Sequence, residues 1–153
     1  MMLRDRNAFV YLRGDSMLIG TISGPGACVQ NDWHQPVCQA MLSEMTDGKI
    51  GEAIRLAWSR FREIPLHDSK EIQAIRMQTI GLGKVTLKKL YAGTKTVSAY
   101  MKNGTINIWA TIQDRVGGFS PLPGVEVSLP EDSTNEAIGE AVRDMLHKSQ
   151  TKF

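Results

Sequence analysis

Cys28, His34 and Cys38 place three metal-ligating side chains within eleven residues. Structural zinc takes four ligands, commonly in paired spacings such as C-x2-C, and this stretch offers neither the pairing nor an evident fourth group. No metal is expected, and both cysteines are read as small apolar side chains, the usual condition of a free thiol. Gly81-Leu82-Gly83-Lys84-Val85-Thr86 lacks the spacing of a phosphate-binding P-loop, and Gly24-Pro25-Gly26 is followed by Val29 where a dinucleotide fingerprint needs its third glycine. Both read as turns. Acid–base or nucleophilic catalysis would have to draw on His34, His67 or His147, and no G-x-S-x-G nucleophile motif accompanies them. The sequence therefore predicts no catalytic residues, no cofactor and no enzymatic activity.

Charge offers more. The formal net charge of +2 conceals two opposed segments. Residues 72–102 carry Arg76, Lys84, Lys88, Lys89, Lys95 and Lys102 with no acid, whereas residues 126–144 carry Glu126, Glu131, Asp132, Glu136, Glu140 and Asp144 against Arg143 alone. The basic segment, with Tyr91 and Tyr100 available for stacking, is what a nucleic-acid binder would use. A pI near 8.6 is below that expected of a dedicated binding domain, so a solvated basic face is preferred. In the acidic segment, Glu131, Asp132 and Glu136 lie where carboxylates favour a helix N-terminus. Glu136, Glu140 and Asp144 are spaced four apart, and like charges at that spacing oppose the helix that carries them. Such a stripe is understandable if a basic partner neutralises it.

The elements that position these residues follow from periodicity. Ala8 to Leu12 and Met17 to Ile22, around Gly14-Asp15, form an N-terminal hairpin, and the stretch from Ser23 to about Trp33 is a loop. Ile50, Ile54, Ala57, Trp58 and Phe61 recur at helical spacing up to Pro65, and Asp68-Ser69-Lys70-Glu71 opens a further helix ended by Gly81 and Gly83. Thr96–Lys102 and Thr105–Ile112 flank Asn103-Gly104, the dipeptide that supplies both positive φ angles of a type I′ hairpin turn. In the second of these strands Ile106, Ile108, Ala110 and Ile112 share one face, leaving Trp109 on the other. Residues 117–124 read as loop, 125–129 as a short strand, and Ser133-Thr134-Asn135-Glu136 as the capping box of a last helix through Ile138, Val142 and Met145. With 153 residues, 42% hydrophobic, one core is the default. The expected fold is α+β, a single domain over residues 1–153, mainly antiparallel sheet with hairpins and about three packed helices.

Ile50-Gly51-Glu52-Ala53-Ile54-Arg55 returns as Ile138-Gly139-Glu140-Ala141-Val142-Arg143, five of six positions identical. Two distant copies do not make a solenoid. A shared packing solution, with glycine permitting close helix approach, is the preferred explanation.

The chain resembles the CdiI immunity proteins of bacterial contact-dependent growth inhibition. The resemblance rests on Gly51-Glu52-Ala53 through Ser59-Arg60, Gly93-Thr94-Lys95-Thr96, Gly118-Phe119-Ser120, Pro130-Glu131-Asp132-Ser133 and Ile138-Gly139-Glu140-Ala141, in that order over roughly residues 47–146. It implies a protein that binds and blocks the toxic C-terminal domain delivered by a neighbouring bacterium, often a nuclease. The expected partner is that cognate toxin domain, and nucleic-acid binding through residues 72–102 is the alternative. The expected toxin-facing residues are Glu126, Asp132, Glu136, Glu140 and Asp144, with Trp109 as an aromatic anchor. No apolar run of membrane-spanning length and no apolar leader follow Met1, so no membrane partner and a cytoplasmic location are expected.

Overall fold

A computed structural model of the protein describes residues 5–23, 30–62, 93–113 and 119–151, with residues 30–35 described by backbone alone. Strands β1 (Arg6–Arg13) and β2 (Ser16–Ser23) form the expected hairpin, with Gly14 at positive φ in its turn. Next come β3 (Gln30–Met41), a 3-10 turn at Leu42–Glu44 and helix α1 (Asp47–Ser59). The second half supplies β4 (Thr94–Lys102), β5 (Thr105–Gln113), β6 (Phe119–Pro130) and helix α2 (Asn135–Lys148). All six strands join one antiparallel sheet in the order β3-β2-β1-β4-β5-β6. The β1–β4 ladder runs unbroken from Arg6↔Met101 to Arg13↔Thr94 and unites the two halves of the chain.

Both helices cover one face of this sheet. Ala8 and Val10 of β1, Met17 and Ile19 of β2, Val97 and Ala99 of β4, and Ile106, Ile108 and Ala110 of β5 turn toward them. The helices answer with Ile50, Ile54, Ala57 and Trp58 from α1 and Ile138, Val142, Met145 and Leu146 from α2. Each valine, isoleucine, leucine or methionine among them contributes about 1.5–3 kcal/mol when removed from water, and each alanine less. Trp58, expected in the core, is buried there, and its indole Nε1–H donates to the Ala99 carbonyl at 2.9 Å. On the other face Phe9 and Leu18 make a smaller cluster with Tyr11 and Ile22.

The helices meet through the repeated hexapeptide, and they meet symmetrically. A Cβ on Gly51 would stand 2.0 Å from the Asn135 carbonyl oxygen, and one on Gly139 would stand 1.8 Å from that of Asp47. Any side chain at either position would hold the helices apart. Arg55 Nε donates to Asn135 Oδ1 at 2.9 Å, while its Nη2 donates to the carbonyls of Ser133 and, at 3.2 Å, Glu131. Arg143 Nε donates to Asp47 Oδ1 at 2.9 Å and its Nη2 to the Met45 carbonyl at 2.7 Å. In each direction an arginine reaches the first residue of the opposite helix and the carbonyl two positions before it. The N-caps match too: Thr46 accepts from Lys49 N–H, and Thr134 from Ala137 N–H. The echo is thus one docking unit used twice about a local pseudo-two-fold axis.

Five expectations change, one of them on β5, where Thr111 is buried in place of Ile112. Residues 30–33, read as loop, belong to β3, an edge strand whose Pro36 lies opposite Gly20 between two register shifts. Proline is tolerated there because an edge strand can spare an N–H. Residues 119–124, also read as loop, are the first half of β6, the other edge, where Pro121 and Pro123 are admitted for the same reason. The cap of α2 is Thr134, one residue beyond the expected Ser133, whose hydroxyl donates to the Pro130 carbonyl at 2.7 Å. Phe61 lies past the end of α1, under the Arg6 guanidinium at 4.6 Å. Two α-helices are present among the described residues. The helix expected over 68–81, the glycine turns at 24–26 and 81–86, Cys28, His67 and most of the basic segment lie outside those residues, as do the side chains of Trp33 and His34.

Candidate functional site

Thr134 caps α2, and its buried stripe of Ile138, Val142 and Met145 fixes which side of the helix faces outward. That outward side carries Glu136, Glu140, Asp144 and Lys148, all exposed. Lys148 Nζ meets Asp144 Oδ2 at 3.2 Å, an exposed i,i+4 pair worth about 0.3–0.5 kcal/mol. Among the described residues Glu136 and Glu140 have no ion-pair partner. Glu136 occupies the first turn, where the helix dipole favours it, and its carboxylate lies against Gly48 at the start of α1. Its local role is thereby explained. Glu140 stands in the second turn, and the structure gives it no comparable local partner.

The remaining candidates divide. Val125, Val127 and Leu129 of β6 turn toward the helices, so Glu126 points to the opposite face of the sheet, beside its cross-strand neighbour Trp109. Trp109 is half-buried, its ring 6.2 Å from that of Tyr100. The Tyr100 hydroxyl donates to Asp5 Oδ2 at 2.7 Å. Burial, with the hydrogen bond to Asp5 and its charge added, raises the phenol above its ordinary pKa. Asp132 is exposed in the turn between β6 and α2. Glu136, Glu140 and Asp144 therefore form one surface, Trp109 and Glu126 another, and the edge strand β6 with the turn at Asp132 lies between them.

A feature that the charge pattern does not reveal adjoins the α2 stripe. A cleft of about 770 Å³ runs along the helix. Its apolar lining includes Val127, Leu129, Ala137 and Ala141, with Glu140 and Asp144 above them and Lys95 and His147 toward the C-terminal end of α2. Its signal in the sequence is faint: two alanines four apart on the last helix, and an alternating strand just before it.

Of the three metal-ligating side chains singled out in the sequence, that of Cys38 lies among the described residues, half-buried on β3 and packed against the core, where burial pushes its thiol pKa up. Among the described residues no three His, Cys, Asp or Glu side chains are grouped to hold an ion, and no helix is long and apolar enough to cross a membrane.

Two solved structures share this architecture over 97% of the chain and 99% of their own. A protein of unknown function from Neisseria meningitidis superposes with a TM-score of 0.79 at 19% identity. A chain of the CdiA-CT/CdiI toxin and immunity complex from Yersinia pseudotuberculosis superposes with a TM-score of 0.75 at 20% identity. At such identities the likeness is one of fold. No curated protein sequence matches the chain. The family model for CdiI, the CDI immunity protein, matches residues 6–149, from the start of β1 to the end of α2.

Proposed function

The chain belongs to the CdiI family of CDI immunity proteins, and from that premise we propose that it binds the cognate CdiA C-terminal toxin domain and neutralises it without turning over a substrate. The observation that carries this reading is the family match itself, which spans the whole sheet and both helices. The fold it shares with a chain of a toxin and immunity complex is consistent with it.

The interaction is assigned to the outward side of α2. Glu136, Glu140 and Asp144 present like charges at four-residue spacing, with Lys148 paired to Asp144 alone. A toxin that holds phosphates, as a nuclease does, has a positive surface, and complementary charge speeds and orients encounter. Asp132 extends this surface at the N-terminal end of the helix. Trp109 and Glu126 contribute only if the partner also reaches round β6. The action is intracellular and blocks the toxin by covering its active site or a surface beside it.

The rival reading, nucleic-acid binding through residues 72–102, has less behind it. Of its cations within the described residues, Lys102 lies 3.9 Å from Asp5, and Lys95 lines the same cleft as Glu140.

Co-expression with the cognate toxin domain tests the proposal. The expected result is survival of cells that die with the toxin domain alone, together with co-purification of the two chains. Unrelieved killing in the presence of soluble, folded protein would overturn it.

A further inference from the structure

The cleft between α2 and β6 has a floor and a charge that together describe its occupant. Val127 and Leu129 come from the helix-facing side of β6, and Ala137 and Ala141 from α2. The two alanines leave open the space that longer side chains would fill. Glu140, three residues after Ala137 and next to Ala141, lines the same cleft with no ion pair among the described residues. Lys95 and His147 lie toward the other end, and Arg143, whose guanidinium is held by Asp47 and the Met45 carbonyl, lines the same cleft. The β-register places Lys95 four residues along β4 from Ala99, which is in line, through Ile108, with Val127.

We infer that this cleft receives a lysine or arginine side chain of the toxin domain, whose methylenes lie on Val127, Leu129, Ala137 and Ala141 and whose cationic group meets Glu140. Long basic side chains combine an apolar stem with a charged tip, and the cleft offers both partners in that order. Lys95 repels the cation from the far end and so orients it toward Glu140. A nucleic acid does not fit, because its phosphates would meet Glu140 and Asp144. The assignment rests on toxin binding as proposed above and adds the chemistry of the group recognised.

The pseudo-two-fold axis supplies an internal control. Glu52 occupies in α1 the position that Glu140 occupies in α2, is also exposed, and is not among the residues that line this cleft. Binding of the purified cognate toxin domain to full-length protein should be measured for Glu140→Gln, Ala137→Lys and Glu52→Gln, each first shown to melt like the parent. Ala137→Lys places a resident cation three residues before Glu140 and occupies the groove. Glu140→Gln and Ala137→Lys should each weaken binding about tenfold or more, chiefly through faster dissociation, while Glu52→Gln should stay within about twofold. A double-mutant cycle across the toxin's lysines and arginines should find one that loses its effect in the Glu140→Gln background. Parental affinity of Ala137→Lys, equal losses for Glu52→Gln and Glu140→Gln, or no toxin cation coupled to Glu140 would each overturn the assignment and leave toxin binding intact. Failure of the parent protein to bind the toxin domain would instead remove the function on which the assignment rests.

Discussion

Helices α1 and α2 begin with nearly the same words and end with different work. Thr46, Asp47, Gly51 and Arg55 of the first correspond to Thr134, Asn135, Gly139 and Arg143 of the second, and each set makes the same cap, the same close approach and the same arginine clasp. Their outward sides have diverged. That of α1 mixes Lys49, Glu52 and the exposed Leu56, whereas that of α2 is acidic at three positions spaced four residues apart. The inward half of each helix answers to the other helix, and only the outward half is free to answer to a partner. Repetition in the sequence therefore marks structure at the glycines and arginines, whereas on the outward side Glu140 is repeated as Glu52 and its neighbours Glu136 and Asp144 replace Gly48 and Leu56.

The comparison breaks most decisively at the glycines. Gly51→Ala and Gly139→Ala each drive a methyl group into a backbone carbonyl, and should each cost about 2–4 kcal/mol in urea denaturation. A loss below about 0.5 kcal/mol at either position would show that the helix contact is looser than described. Arg55→Met and Arg143→Met come next, at about 1–2 kcal/mol each, since the carbonyls they serve lose charged donors. Asp47→Asn should change stability by less than about 0.5 kcal/mol, because Asn135 already performs the equivalent task as an amide. Thr46→Ala and Thr134→Ala, each removing one N-cap acceptor, should cost about 1 kcal/mol and should match one another. Unequal caps would mean that the pseudo-symmetry stops short of the helix ends.

How much of this could be read in advance follows the physics of each element. The Asn103-Gly104 hairpin was legible because its turn chemistry is local: both residues have positive φ, 51° and 79°. The face of β5 that carries Ile106, Ile108 and Ala110 was legible for as long as the alternation lasts. It fails at Thr111, buried instead of Ile112, where a register shift intervenes and Thr111 N–H donates to Ser149 Oγ at 3.1 Å. The edge strands were hidden because their prolines and polar residues, permitted where one side of a strand lacks a neighbour, imitate a loop. Of the candidate surface, the α2 stripe was visible as periodicity. The separation of Trp109 and Glu126 from it was not, because the face that Glu126 occupies depends on the register of β6 against β5. Nor was the cleft, which depends on how β6 lies beneath α2.

The central claim is that the acidic side of α2 meets the toxin. Its most direct test is the association rate of the cognate toxin domain with a variant carrying Glu136→Lys, Glu140→Lys and Asp144→Lys, measured by stopped flow at low and high salt. All three positions are exposed, so stability should change by only about 0.5 kcal/mol per site. The account predicts association slowed on the order of tenfold or more at low salt, with the difference from the parent shrinking as salt screens the charges. An unaltered rate at low salt, with cells still protected, would contradict it and remove these carboxylates from the interface.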